Sequence, residues 1–264
     1  MIPVPQTIDD WTKLVEDGTP FTYTNIGGDG EFLAIVGKIG TNSDGRAFNP
    51  EVGKVLSQVL IEPRLTFHGY NPGRPGSEKR LAAEAWLREH GINVPELDPH
   101  RLTDPDFGKC ERNVRWVHKE IISSANVRGE LGPFIGTLRS HPLIVVGPST
   151  LDESFVLGTL DAVGFIAVPP DRGLDDLEGL YLDITDEIDA VRAANEGRSV
   201  VVSWSLGYPA KPLIWRLASE FPAVTQIDMG ACWDPYCGVR NRHGYKRDTW
   251  PEAMARNLRE AGVG

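Results

Sequence analysis

The chain has 264 residues, 41% hydrophobic and 24% charged, ordinary globular usage that excludes a low-complexity chain and allows one sizeable core. Its formal net charge of −10, from 27 basic and 37 acidic side chains, disfavours broad attraction to a polyanion. Three cysteines, Cys110, Cys232 and Cys237, form no C-x-x-C pair, which argues against a disulfide scaffold or a structural zinc site. The opening MIPVPQTIDDW has no basic region followed by an apolar run, and no apolar stretch approaches the roughly 20 residues needed to span a bilayer. A cytoplasmic protein without a membrane span is the expectation.

In chain order, FTYTNIG (21–27) has strand character, and residues 50–61, 78–90 and 113–125 have helical patterning. YNPGRPG (70–76) reads as a loop. From Pro142 the pattern becomes regular. PLIVVG (142–147) predicts a buried strand, 149–160 a helix, GFIAVPP (164–170) a strand, 185–194 a helix, and SVVVSW (199–204) a strand. A helix over 209–221 and a strand VTQIDMG (224–230) follow, and Thr249 with Glu252 and Pro251 predicts a capping box opening a last helix that runs to about residue 260. Short apolar runs alternating with amphipathic helices predict an α/β fold. Its Rossmann-like parallel sheet would carry helices on both faces, since each parallel crossover needs a helix. One compact domain over 1–264 is expected, with a helical N-terminal half (1–141) and a Rossmann-like half (142–264).

The segment NIGGDGEFLAIVG (25–37) runs from a strand through a glycine-rich turn, bearing Asp29 and Glu31, into an apolar helix. Gly28 and Gly30 allow close approach of a ligand, and carboxylates two apart can converge on one hard cation, Mg²⁺ or Mn²⁺. The same four residues could also form a tight turn whose acids only face the positive end of a helix. Two further glycine turns, around Gly147 in VVGPST (145–150) and around Ser205 and Gly207 in SWSLGYPAK (203–211), end predicted strands with helix amides ahead. Such turns can cradle phosphate, with Lys211 adding charge. Neither has the G-x-G-x-x-G form, so a dinucleotide cofactor is not indicated. Asp228 and Asp234 lie at or just beyond the end of the last strand, where open sheets build their sites, and either could face a ligand or serve as general base. Asp44 is a rival for the base. Trp204 and Trp233 sit beside these turns and could stack on a base or sugar ring. The basic run RNRHGYKR (240–247) could hold donor phosphate or contact a nucleic-acid acceptor, or simply form a solvated loop.

The first glycine turn resembles the R-x-G-D-G-E signature of the GT-D class of glycosyltransferases. TNSDG (41–45), followed by a proline-led helix, and SLGYPAKPLIWRLASEFPAVTQIDMG (205–230), with its glycine turn, Ala-Lys helix and D-x-G strand, are similar to later blocks of that family. The chain departs from the pattern at Ile26, where the family has arginine, and at Ala231, where it has histidine. The resemblance implies a D-x-E metal site at Asp29 and Glu31, with the nucleotide sugar held by Gly28, Gly30, Gly147, Ser205, Gly207, Lys211 and Asp228. It also implies catalytic roles among Asp29, Glu31, Asp44 and Asp234. The implied reaction moves a hexose, glucose first, from a UDP-sugar to an acceptor hydroxyl on a glycan or glycoprotein, while the basic run keeps a hydroxylated base in DNA open. A metal-dependent phosphohydrolase and a non-catalytic nucleotide-binding module are the alternatives from other classes.

Overall fold

The computed structural model describes residues 2–26, 31–41, 47–62, 64–70, 78–92, 114–169, 176–240 and 243–263. Helix α1 (Ile8–Glu16) leads into strand β1 (Thr22–Asn25), and α2 (Glu31–Ile35) is followed by a small antiparallel pair, β2 (Gly40–Thr41) and β3 (Ala47–Phe48). Next come α3 (Pro50–Ile61), β4 (Phe67–Tyr70), α4 (Glu78–Glu89), β5 (Trp116–His118), α5 (Glu120–Arg128) and α6 (Gly132–Arg139). Then β6 (Leu143–Pro148), β7 (Gly164–Val168), α7 (Leu177–Ala194), β8 (Val201–Trp204), α8 (Ala210–Glu220), β9 (Thr225–Asp228) and α9 (Trp250–Glu260) complete the order.

Seven strands form one sheet in the order β5-β4-β1-β9-β8-β6-β7, and every pairing within it is parallel. Alternate residues of a strand point to opposite faces, so each strand feeds two cores. Leu143 and Val145 of β6 pack with Trp11, Ile122, Phe134 and Ile227 on one side. Ile144 and Val146 pack with Phe32, Leu87, Ile184 and Leu213 on the other. Burial on both faces is why β6 reads as an unbroken apolar run. The expected α/β fold, a parallel sheet with helices on both faces, is what the chain forms.

The N-terminal half is less helical than its pattern suggests, because it supplies β1, β4 and β5 to the same sheet. Residues 113–125 were expected to be one helix, yet Trp116–His118 pair with β4 as an edge strand and the helix begins only at Glu120. Trp116 finds more buried surface against Tyr70 and His68 than a solvent-facing helix would offer it. Over 149–160 the expected helix is one π-helical turn, Ser154–Thr159. The capping box expected at Thr249 does not form, since that residue has helical dihedrals (φ −76°, ψ −10°) and makes no capping bond. A capping box does open α1, where Thr7 Oγ1 accepts from the Asp10 amide at 3.2 Å and Asp10 accepts from the Thr7 amide at 2.8 Å. Trp204 and Trp233 are fully buried, so both are core residues, unable to stack on a ligand.

Two glycines set close helix crossings. A Cβ on Gly53 of α3 would lie 2.0 Å from the Ala34 carbonyl oxygen, so α2 rests backbone-to-backbone on α3. On the opposite face, a Cβ on Gly132 of α6 would lie 2.7 Å from the Asn257 carbonyl of α9. The buried Asn257 side chain ties this region together, accepting from the Leu131 amide at 2.8 Å and donating to the Asn126 side chain at 2.9 Å and the Tyr236 hydroxyl at 2.9 Å.

Candidate functional site

The carboxyl ends of β1 and β9 lie side by side at the centre of the sheet, where a parallel α/β fold opens its crevice. Asp228 ends β9 and is 1% exposed. Its Oδ2 accepts from the Asn25 amide at 3.0 Å and the Thr24 hydroxyl at 3.4 Å, and its Oδ1 accepts from the Gly230 amide at 3.0 Å. Gly230 adopts a positive φ of +57° that turns its amide back onto the carboxylate. Asn25 Nδ2 donates in turn to the Asp228 carbonyl at 3.2 Å. These bonds bind the two strand ends into one rigid corner.

Helix α8 brings the cation. Gly207, at φ +68°, reverses the chain after β8, so that Lys211 on the first turn points back into the crevice. Its Nζ donates to the Gly207 carbonyl at 3.1 Å and to Asp228 Oδ2 at 3.3 Å, and stands 3.8 Å from Glu31 Oε1. Lys211 is 2% exposed and Glu31 8% exposed. A buried ammonium is tolerated only when paired and hydrogen-bonded, and here it meets two carboxylates and a carbonyl. Tyr23 lies beneath this corner and donates from its hydroxyl to Asn25 Oδ1 at 2.5 Å. Burial, with Asp228 and Glu120 adding to it, raises the Tyr23 pKa well above the ordinary phenol value, so the hydroxyl stays a neutral donor. Gly69 is required alongside, because a Cβ there would lie 2.4 Å from Asn25 Oδ1.

Glu31, Gly207, Lys211 and Asp228 all line one cavity of about 480 Å³. The structure thus brings together four of the residues singled out in the sequence. Lys119, just before α5, and Glu120, Ser123 and Arg128 of α5 also line it, together with Tyr245 and Arg247 from the basic run. Glu120 accepts from the Ser123 hydroxyl at 3.1 Å. Tyr245 is anchored because Asn126 Nδ2 donates to its hydroxyl at 3.2 Å.

Other expected positions lie elsewhere. Gly147 is the next-to-last residue of β6 and packs against Leu151, whose Cδ1 a Cβ there would meet at 2.6 Å. Ser205 is buried beside it, its amide donating to the Val146 carbonyl at 2.8 Å, and it is not on the cavity wall. Asp234 begins a short 3₁₀ turn, Asp234–Cys237, away from that wall. Gly28, Asp29, Gly30 and Asp44 fall outside the described residues. Among the described residues, no three His, Cys, Asp or Glu side chains gather as a metal cluster. Asn25, Glu120 and Arg128 are site residues that the sequence reading missed. Asn25 was findable, because it ends a strand immediately before the glycine turn.

No protein-family model matches the chain, and no curated protein matches it. Two solved structures are similar over 89% of this chain and 80% of their own. One is a selenomethionine form of domain of unknown function 1792, at 16% identity and a TM-score of 0.45. The other, at 17% identity and a TM-score of 0.41, is described as showing that this domain has a distinct glycosyltransferase fold. Among the described residues, no helix is long and apolar enough to cross a membrane.

Proposed function

We propose that the chain is a nucleotide-sugar-dependent glycosyltransferase of the GT-D type, moving a hexose, glucose first, from a UDP-sugar to an acceptor hydroxyl. The supporting observation is that Glu31, from the glycine-rich acidic turn, shares one cavity with Lys211, Gly207 and Asp228 at the carboxyl edge of the parallel sheet. Breaking an anomeric bond leaves negative charge on the departing diphosphate, and a cavity that offers cations there lowers the barrier.

A Mg²⁺ or Mn²⁺ ion fits the chemistry of the donor set. Glu31 presents a hard carboxylate to the cavity, with Asp29 as its sequence partner, and ions of this kind complete their shell from substrate phosphates and water. When bound, such an ion neutralises the diphosphate as it leaves. Lys211 adds a fixed positive charge, held toward the cavity by the turn at Gly207. Asp228, saturated by four donors, works as the scaffold that holds Lys211 rather than as a base. Glu120, on the cavity wall, takes the role of base toward the acceptor hydroxyl. Arg128 and Arg247 also line the cavity and would meet the acceptor, a glycan or a hydroxylated base in DNA.

The test is incubation with radiolabelled nucleotide sugars and Mn²⁺, with glycan and hydroxymethylated-DNA acceptors, read by product mass. Transfer that requires acceptor and disappears in Glu31→Gln supports the proposal. Donor cleavage that is indifferent to every acceptor favours a phosphohydrolase instead. Nucleotide binding without any turnover favours a non-catalytic module.

A further inference from the structure

We propose that Lys211 is the resident counter-cation of this site, and that it makes a divalent ion and a nucleoside diphosphate bind as a coupled pair rather than independently. The inference rests on the donor reading above and assigns to Lys211 a positioning role within it.

Two buried carboxylates, Asp228 and Glu31, share one ammonium group. The two contacts are unequal. Toward Asp228 and the Gly207 carbonyl, Lys211 makes hydrogen bonds of 3.3 and 3.1 Å to groups that are themselves fixed by strand and turn. Toward Glu31 the separation is 3.8 Å, an attraction of charge without a hydrogen bond. Glu31 is therefore the partner that can be given up while Lys211 remains tethered.

The charge arithmetic has a direct consequence. A divalent ion arriving alone at Glu31 would meet a buried ammonium a few ångströms away, with little water between to screen it. A diphosphate arriving alone would face the Glu31 and Asp228 carboxylates. Together they would offset one another: a phosphate accepting from Lys211 would replace Glu31 as its partner and leave that carboxylate to the ion. Coupling of this kind is reciprocal, so each ligand tightens the other by the same factor.

The experiment is titration of Mn²⁺, followed by electron paramagnetic resonance, with and without saturating UDP, and of UDP by calorimetry with and without Mn²⁺. The wild type should show mutual tightening on the order of tenfold or more. Lys211→Met should bind Mn²⁺ more tightly than wild type when UDP is absent, with the coupling factor falling well below the wild-type value, whereas Lys211→Arg should retain coupling. Circular dichroism establishes that each variant is folded. If Lys211→Met fails to fold, the wild-type factor decides, because a value near one overturns the inference. A folded Lys211→Met that keeps the wild-type factor overturns it as well. If neither Mn²⁺ nor UDP binds wild type in any combination, the donor reading itself falls, an outcome distinct from binding without coupling.

Discussion

Replacing Gly53 with alanine tests whether Glu31 must be held in place by the packing of α3 against α2. The added Cβ would sit 2.0 Å from the Ala34 carbonyl oxygen, where ordinary contact begins at 3.4 Å, so α2 and α3 must part by the difference, 1.4 Å. Alanine favours a helix interior by about 1 kcal/mol over glycine, while forced overpacking costs about 1–3 kcal/mol. Because the clash is with backbone atoms that cannot rotate away, the net loss of stability should lie at the upper end of that difference, about 2 kcal/mol, and the protein should remain folded. Function should suffer far more, because α2 carries Glu31 on its first residue and an ångström of misplacement at a reacting site costs on the order of 100-fold in rate. Urea unfolding gives the stability, and Mn²⁺ titration with UDP and the transfer assay give the function. A Gly53→Ala protein with wild-type metal affinity and turnover would refute the argument that α2 is positioned by this crossing.

Three more outcomes are expected. His68 is fully buried and its pKa is lowered from 6.5 to about 4 by burial, so the unfolded chain takes up a proton while the native one resists. Stability is then fully present above pH 6.5 and lost as pH falls toward 4, by up to about 3 kcal/mol at about 1.4 kcal/mol per unit. Urea midpoints across that window should fall more steeply in wild type than in His68→Phe, and equal slopes would show that His68 does not titrate as described. Asn257→Ala strands the buried Leu131 amide and removes a donor to Asn126 and Tyr236, and should cost about 3 kcal/mol in urea unfolding; a loss below about 1 kcal/mol would mean water replaces the amide. Glu120→Gln should lower kcat by about 100-fold or more with donor affinity unchanged, and unaltered kcat would remove Glu120 from the proton transfer.

The C-terminal half was legible because β6, β8 and β9 are buried on both faces and leave apolar runs too short for helices. FHGY and WVH were not read as strands, since each is short and a histidine interrupts its apolar pattern. Gly69 serves the Tyr23–Asn25 contact, and His68 faces Trp116; both are tertiary demands that leave no local trace. In the site, Glu31, Lys211 and Asp228 were legible from charge beside glycine turns at strand ends. Glu120 and Arg128 were lost when 113–125 was read as one helix, which hid a strand end at His118 and with it the wall of the cavity. Gly147 misled, because a glycine after a strand looks the same whether it admits a ligand or a leucine.

The pairing of β1 with β9 joins residues far apart along the chain: the Asn25 amide reaches Asp228 across a separation of 203 positions. Closing so long a loop is entropically slow and comes late in folding. During synthesis, the N-terminal acidic turn therefore emerges long before the strand that completes its pocket, and a nascent chain has nothing with which to grip a nucleotide. A ligand that bridges the two strand ends would act as a latch, slowing unfolding and shielding the mature protein from proteolysis in proportion to its concentration.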